Sequence, residues 1–199
     1  FGIVARNYYY KNIKKVMEAF YNEFHDDPAF KLNIHCKGEK EFLFELFEFL
    51  EETDAKTIHI TQDNKSRPDY LACMRELDCY ILVSQGEGFS ITPREAMALG
   101  IPCILSNNTT HKTLCKTGYV LPVECDIIVP SFYTPLLELV GYKFDCNLED
   151  VQAAMRTMYE EYDVYYAKAK DGIEWARQFD WKRITPLYKT LFQPMSVKK

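Results

Sequence analysis

Two glutamates stand eight positions apart in the stretch SQGEGFSITPREAMALGIPC (84–103), at Glu87 and Glu95. An apolar run, CYILVS (79–84), precedes them, and a second one, IPCILS (101–106), follows. Apolar runs of this kind are typical of strands covered on both faces of a sheet. The glutamates therefore lie where the chain leaves one buried strand and begins a short helix.

This position suits a ligand that carries both negative charge and hydroxyl groups. The N-terminus of a helix offers free amide donors and a positive dipole end, which together bind anions. Gly88 lets the backbone approach a ligand without interference from a Cβ. The carboxylate of Glu87 repels an anion but holds hydroxyl groups, since it is an acceptor only. Phosphate on the amides and sugar hydroxyls on the glutamates describe a nucleotide sugar.

A purely structural interpretation exists for Glu95. The sequence T-P-R-E places Thr92 at the N-cap, Pro93 at the first helical position and Glu95 at the third, which is a capping box. Such a cap contributes about 1 kcal/mol to stability. The capping box leaves the run Glu87, Gly88 and Phe89 unexplained.

Two cations in VARNYYYKN (4–12) favour the same ligand. Arg6 follows the first apolar run, and Lys11 immediately precedes a helix, where a cation opposes the helix dipole. Together they could neutralise a diphosphate, with Arg6 as a bidentate fork and Lys11 as a point charge. The alternative is that both are solvated surface charges.

Strand-like and helix-like patterns alternate through the first 123 residues. Strands are predicted at 1–5, 30–36, 57–61, 79–84 and 101–106, with a sixth candidate at 117–123, and helices at 12–25, 39–52, 68–77 and 93–99. This alternation predicts an α/β fold, a doubly wound, Rossmann-like parallel sheet of about six strands with helices on both faces. In such sheets, ligands bind beyond the carboxyl ends of the strands.

The remainder of the chain is less regular. Residues 123–147 show no clear period and are predicted to be an irregular insertion, part of which is structured because the segment is long for a loop. Helical spacing returns from Val151 through about residue 170, and a closing helix is predicted at 181–193. The apolar residues of 39–52 occupy most of that helix's circumference, so we expect it to be covered on more than one side.

Composition excludes several classes of protein. The chain of 199 residues carries a net charge of −5 and has no long basic run, so no nucleic-acid partner is expected. No apolar segment approaches the roughly 20 residues that span a bilayer. The seven cysteines lack zinc-site spacing and are predicted to be reduced and mostly buried. His111 follows the fifth strand and could approach a ligand, but we do not predict a catalytic role for it.

Several segments together resemble a known family. EGFSITPREAMALGIPCILSN (87–107) resembles the E-x7-E segment of retaining GT-B glycosyltransferases of the family 4 type. FGIVARNYYYKNIKKVMEAF (1–20) resembles the strand of that family that ends in Gly-Arg, followed five residues later by Lys. RPDYLACMRELDCYILVS (67–84) and FDWKRITPLYKTLF (179–192) are similar to two further family segments. The resemblance extends from residue 1 to about residue 193.

The resemblance implies a role for each candidate residue. Arg6 and Lys11 would contact the donor diphosphate, and Glu87 would face the donor sugar as the catalytic residue. Glu95 would hold the ribose hydroxyls. The segment that lines sugar and phosphate would consist of Gly88, Phe89, Ser90, Ile91 and Thr92.

The resemblance also implies a reaction and partners. The donor would be a UDP- or GDP-sugar, and a hexose would pass, with retention, to a glycan or lipid acceptor. No cofactor and no metal would be required. The whole chain, 1–199, would be one donor-binding half of a GT-B fold, inactive without an N-terminal acceptor domain. The enzyme would be cytoplasmic, and any membrane contact would be made through that other domain.

The sequence departs from the family pattern at several positions. Ala5 stands where Gly usually precedes the arginine, and Ser90 replaces a common Gly, which limits how closely the backbone can approach a ligand. NTTHKTL (108–114) replaces a Pro-Glu pair, and 123–140 reads as an insertion.

Three other functions are alternatives to this one. A sugar-nucleotide epimerase of GT-B architecture needs acid–base groups in its cleft, and none is obvious in this half. A non-catalytic nucleotide-sugar-binding subunit remains open. A Rossmann dehydrogenase is disfavoured because no G-x-G-x-x-G follows the first strand.

Overall fold

The computed structural model describes residues 1–38, 40–133 and 138–192. The strands are β1 (Gly2–Arg6), β2 (Leu32–Lys37), β3 (Ile58–Thr61), β4 (Tyr80–Leu82), β5 (Cys103–Ser106), β6 (Leu121–Val123), β7 (Ile127–Tyr133) and β8 (Glu138–Asp145). The helices are α1 (Ile13–Phe24), α2 (Lys40–Thr53), α3 (Arg67–Arg75), α4 (Ile91–Ala98), α5 (His111–Cys115), α6 (Leu148–Glu160), α7 (Tyr162–Ala176) and α8 (Trp181–Leu191).

Six strands form one parallel sheet in the order β3-β2-β1-β4-β5-β6. The order reverses direction between β1 and β4, so the carboxyl ends of these two strands open on a crevice between oppositely directed crossovers. The predicted doubly wound sheet is therefore confirmed, including its sixth strand.

The sheet has one apolar core on each face, and alternate residues of β1, β4 and β5 lie in one core or the other. Ile3, Ile34 and Ile81 pack with side chains from α1, α2 and α6. Val4 and Leu82 pack on the other face with side chains from α3, α4 and α7. Because every residue of β4 and β5 is buried, the near-continuous apolar character of their sequences is explained.

The segment predicted to be an irregular insertion forms a regular antiparallel hairpin instead. Strands β7 and β8 pair from Ile127 opposite Asp145 to Tyr133 opposite Glu138, with a register shift between Ser131 and Phe132. The period of two is hard to read from the sequence because that shift interrupts it. Residues 134–137, between the strands, lie outside the described part of the chain.

The helical prediction holds in outline and differs in two places. The single helix expected from Val151 is two helices, α6 and α7, separated at Glu161, whose ψ of 27° departs from helical geometry. Helix α2 buries Leu43 and Leu46, but Phe44 is 65% exposed. The expectation that α2 is covered on more than one side is therefore wrong for the described residues.

The closing helix α8 begins at Trp181 as predicted, with Asp180 as its N-cap. Its predicted last residue, 193, lies outside the described residues. All seven cysteines are free thiols and five of them are buried. None of the helices in the described ranges is long and apolar enough to cross a membrane.

Candidate functional site

The segments that leave β1 and β4 meet at the carboxyl edge of the sheet. After β1 the chain makes a single 3₁₀ turn, Tyr9–Lys11. After β4 it forms the loop 83–90, which leads into α4. The backbone amide of Gln85 donates a hydrogen bond of 2.6 Å to the carbonyl of Tyr10. The two segments that carry the sequence-predicted residues therefore share one crevice, as expected.

Within this crevice Lys11 and Glu87 form an ion pair. The Nζ of Lys11 donates to Oε1 of Glu87, and the hydroxyl of Ser84 donates to the same oxygen over 2.8 Å. The side chains of Lys11 and Glu87 are only 14% and 8% exposed. The backbone amide of Glu87 donates to Oγ1 of Thr109 at 2.9 Å. Glu87 is thus held by three neighbours, none of which the sequence predicted as its partner.

Arg6 lies apart from this pair. It ends β1 with an exposed side chain, and its guanidinium makes a long hydrogen bond of 3.5 Å to the hydroxyl of Tyr8. No ion pair joins Arg6 to Glu87 within the described ranges. Among the described residues, a carboxylate at the crevice pairs with Lys11 and none pairs with Arg6.

Helix α4 begins two residues earlier than the sequence indicates. Its N-cap is Ser90, whose backbone is left-handed at φ 56° and ψ 79°. Thr92, the predicted N-cap, lies inside the helix and exchanges a hydrogen bond of 2.7 Å with the hydroxyl of Tyr80. Pro93 is the third helical residue, where its missing amide costs nothing because first-turn amides have no helical acceptor.

The capping box predicted for Glu95 is therefore wrong. Its carboxylate reaches helix α3, where it accepts hydrogen bonds from the hydroxyl of Tyr70 and, at 2.7 Å, from the guanidinium of Arg67. Burial and the hydrogen bond to Glu95 raise the pKa of Tyr70. Glu95 keeps 20% of its side chain exposed. The segment 67–70 thus fixes the second glutamate of the pair.

The left-handed conformation of Ser90 explains why glycine is common at this position in the resembling family, since glycine adopts positive φ without cost. No described atom lies within 4 Å of where a Cβ of Gly88 would stand. Phe89 and Ile91 are 54% and 61% exposed. The predicted lining segment, 88–92, therefore presents its first residues to solvent at the crevice.

A buried arginine that the sequence reasoning missed supports this loop. Arg94 is 8% exposed, and its guanidinium donates to the carbonyls of Phe89 and, at 3.0 Å, of Ser90. The same group lies 4.1 Å from the centroid of the Phe89 ring. Burial lowers the pKa of Arg94. No carboxylate in the described part of the chain pairs with it, so its positive charge lies uncompensated beneath the loop.

His111, which the sequence placed near a possible ligand without a catalytic role, joins the loop to the end of β5. It is fully buried, with Nε2 at 2.7 Å from the hydroxyl of Ser90 and Nδ1 at 2.9 Å from the hydroxyl of Ser106. Burial lowers its pKa to about 4. The ring is therefore neutral near pH 7 and bridges two hydroxyl groups.

A cavity of about 620 Å³ lies at the opposite edge of the sheet, lined among others by Phe1, Phe30, Cys79 and Tyr162. It adjoins the amino ends of β1 and β4, whereas parallel sheets bind ligands at their carboxyl ends. The polar groups at the carboxyl edge are the ones fixed by hydrogen bonds from several segments. We therefore place the candidate site there. Among the described residues, no group of three His, Cys, Asp or Glu could hold a metal ion.

Solved structures share this architecture. The C-terminal domain of a glycosyl transferase group 1 family protein (LpcC) from Francisella tularensis aligns with a TM-score of 0.67 at 15% identity, over 94% of this chain and 86% of that one. Anabaena Alr3699/HepE, in complex with UDP and glucose, aligns with a TM-score of 0.73 at 15% identity, over 96% and 48%. WaaG, a glycosyltransferase involved in lipopolysaccharide biosynthesis, gives 0.69 at 12%, over 98% and 47%.

These likenesses establish the fold as a Rossmann-like half of the GT-B type. This chain spans under half of the length of the Alr3699/HepE and WaaG chains. No curated protein matches the sequence. Residues 1–126, which include β1 through β6 and every residue of the candidate site discussed above, match the family Glycosyl transferases group 1. The chain belongs to the glycosyl transferases group 1 family.

Proposed function

We propose that this chain is the donor-binding domain of a glycosyltransferase that transfers a hexose from a UDP- or GDP-sugar, with retention, to a glycan or lipid acceptor. The observation that carries this proposal is the ion pair of Lys11 and Glu87 beside the N-terminus of α4. It places a cation, a carboxylate and free backbone amides in one crevice. Those three groups match the diphosphate and the hydroxyls of one ligand.

The donor diphosphate lies against the start of α4. The amides of Ile91 and Thr92 belong to the first helical turn, where amides lack helical acceptors and favour anions. The ammonium of Lys11 and the exposed guanidinium of Arg6 add positive charge. As the bond between the anomeric carbon and the phosphate oxygen breaks, these groups stabilise the charge that develops on the leaving diphosphate. No metal is needed for this step.

The donor sugar lies against Glu87. Its Oε1 is occupied by Lys11 and Ser84. Its other oxygen, Oε2, accepts no side-chain hydrogen bond from the residues the structure describes, so it is available to a sugar hydroxyl. A carboxylate that is already fixed loses little freedom when it binds, and it holds the anomeric carbon in place for transfer.

Glu95 holds the ribose. Tyr70 and Arg67 each occupy one side of its carboxylate, yet a carboxylate has about four acceptor positions. The remaining positions accept the two ribose hydroxyls. The structural contact and the ligand contact therefore do not exclude each other.

The acceptor site lies in an N-terminal domain outside this chain. The proposal follows from the resemblance and agrees with the fraction of the Alr3699/HepE and WaaG chains that this one covers. By itself, the 199-residue chain would bind the donor and transfer nothing. The full enzyme would be cytoplasmic and would reach any membrane through the other domain.

Thermal unfolding with UDP, GDP, ADP and their glucose conjugates tests the proposal. A ligand present at 100 times its dissociation constant adds about 2.7 kcal/mol to the free energy of unfolding. We expect UDP or GDP and the matching sugar conjugate to raise the melting temperature. A chain whose melting temperature no nucleotide changes would not be a donor-binding domain.

A further inference from the structure

We infer that His111 is a positioning residue that aims the hydroxyl proton of Ser90 at a diphosphate oxygen of the donor. The inference rests on the proposed function and adds to it a specific hydrogen bond. It starts from the chain of three polar groups, Ser106, His111 and Ser90, that runs from the end of β5 to the N-cap of α4.

The direction of this chain follows from Ser106. Its side chain is fully buried, and within the described ranges the Nδ1 of His111 is the hydrogen-bond partner of its hydroxyl. A buried hydroxyl without an acceptor for its proton costs about 1–3 kcal/mol. The Ser106 hydroxyl therefore donates to Nδ1, which must be the unprotonated nitrogen of the ring.

The proton of the neutral ring then sits on Nε2. Neutral imidazole carries one N–H donor and one acceptor nitrogen, and His111 is neutral because burial disfavours its charged form. Nε2 donates to the Ser90 oxygen, 2.7 Å away. Because the Ser90 oxygen accepts this hydrogen bond, its own proton is not donated to His111. Ser90 therefore presents a hydrogen-bond donor at the crevice.

The position of this donor selects the acceptor. Ser90 is the N-cap residue of α4, and its side chain makes no capping hydrogen bond. The free amides of the first helical turn lie at the same end of the helix, where anions bind. The carbonyl of Ser90 is turned to Arg94, which adds positive charge under the loop. A donor in such surroundings suits a phosphate oxygen better than a sugar hydroxyl, because hydrogen bonds to charged acceptors are stronger.

Two measurements test the inference. The first is long-range ¹H–¹⁵N NMR of the ¹⁵N-labelled chain, which distinguishes the bare from the protonated nitrogen of each histidine ring. We expect the bare nitrogen of His111 to be Nδ1. A spectrum with the proton on Nδ1 would overturn the inference, whatever the ligand affinity.

The second measurement is calorimetric titration with UDP. Ser90→Gly removes the hydroxyl and leaves the left-handed backbone unstrained, and we expect its affinity to fall about tenfold, which is about 1.4 kcal/mol. His111→Phe should lose a similar factor. The double variant should lose little more, because the two side chains act through one contact. His111→Gln, which can donate an amide proton to Ser90, should recover part of the loss.

Thr113→Ala, an exposed change on α5, is the matched control and should bind UDP like the wild type. If the wild type and Ser90→Gly bind UDP equally, the inference is wrong and the proposed function stands. Losses that multiply in the double variant contradict it in the same way. If the wild type binds neither UDP nor GDP, the proposed function fails and the inference fails with it.

Discussion

The ammonium of Lys11 and the carboxylate of Glu87 pair across 76 residues of sequence, in a crevice where the hydroxyl of Ser84 completes the contact. The charge of Lys11 is therefore already balanced by Glu87. A diphosphate that enters must share Lys11 with Glu87. The two partners consequently have opposite effects on nucleotide affinity.

Lys11→Met should weaken UDP binding about tenfold or more, because it removes a cation from the diphosphate and leaves a part-buried carboxylate with only Ser84 as side-chain partner. Isothermal titration calorimetry measures the change. Lys14→Met, in the first turn of α1, is the matched control. Equal loss in both variants would show that Lys11 acts only through overall charge.

Glu87→Gln should leave UDP affinity unchanged or higher, since the substitution frees Lys11 for the diphosphate. The same variant should lose the extra affinity that UDP-glucose has over UDP, because the amide is a poorer acceptor for sugar hydroxyls. Calorimetry with both ligands gives the ratio. Glu160→Gln, which changes an exposed glutamate of α6, serves as the control. A ratio unaltered by Glu87→Gln would remove Glu87 from the sugar site.

Glu95→Ala should abolish discrimination against 2′,3′-dideoxy-UDP, which lacks both ribose hydroxyls. In the wild type we expect the affinity for UDP to be at least about tenfold higher than for the dideoxy analogue, because UDP makes one or two more hydrogen bonds to a charged group. Competition binding with both nucleotides measures the ratio. Tyr70→Phe removes a partner of Glu95 without removing the carboxylate, so it should keep the discrimination. Equal discrimination in the wild type and Glu95→Ala would contradict the ribose contact.

His111 should make the protein less stable in acid. Its pKa is about 4 in the fold and about 6.5 when unfolded, so the unfolded state binds more protons between these values. The free energy of unfolding therefore falls by roughly 3 kcal/mol as the pH is lowered from 6.5 to 4. Above pH 6.5 His111 causes no such loss. The charged groups that act on the ring are Glu87, Lys11 and Arg94.

Urea unfolding of the wild type and His111→Phe between pH 7 and pH 4 isolates this contribution, because other titrating groups cancel in the difference. We expect the two stability curves to converge as the pH falls. Curves that stay parallel would mean that His111 does not resist protonation. His25→Gln, at an exposed histidine, controls for the loss of an imidazole.

Asp145 should anchor the β7–β8 hairpin to the site. Its Oδ1 accepts hydrogen bonds from Asn12 at 2.7 Å and Lys15 at 2.6 Å, and its Oδ2 accepts one from Gln85 at 3.0 Å. Burial opposes its ionisation, but the hydrogen bonds from Lys15, the backbone amide of Cys146 and Asn12 prevail and lower its pKa. Asp145→Ala should cost about 2–3 kcal/mol, since it leaves buried donors unpaired.

Hydrogen exchange separates this anchoring from a general loss of stability. Amides of β7 and β8 should exchange faster in Asp145→Ala than in the wild type. The exchange rates of the β5 amides should be the same in both proteins when they are compared at equal global stability. Asp126→Asn, at an exposed aspartate next to β7, is the matched control. Unchanged protection of the hairpin would contradict the anchoring role.

The sheet and the edge that carries the site were readable from the sequence because buried parallel strands are continuous apolar runs. The strand ends predicted that Lys11 and Glu87 serve one ligand at this edge, but the sequence did not predict their ion pair. The helix start was misread because T-P-R-E satisfies a local capping rule, whereas Ser90, the observed N-cap, is held by a hydrogen bond to His111, 21 residues later, and by one from Arg94 to its carbonyl. The pattern T-P-R-E reveals neither contact.

The hairpin was missed for a different reason. Its pairs Ile128/Phe144, Pro130/Tyr142 and Phe132/Leu139 put apolar residues on one exposed face. An alternating pattern predicts a strand most clearly when its apolar face is buried, and here that face is exposed. A proline within β7 also argues against a strand. Tertiary anchoring through Asp145, which the sequence does not reveal, supports the hairpin.

The most direct test of the account is a ¹H–¹⁵N NMR titration of the chain with UDP, since it reports both binding and its location. UDP should cause saturable shifts of the amides of Lys11, of residues 87–92 and of Glu95, all at the carboxyl edge of the sheet. Shifts confined to the cavity near Phe30 and Tyr159 at the opposite edge, or no shifts with UDP or GDP, would contradict it.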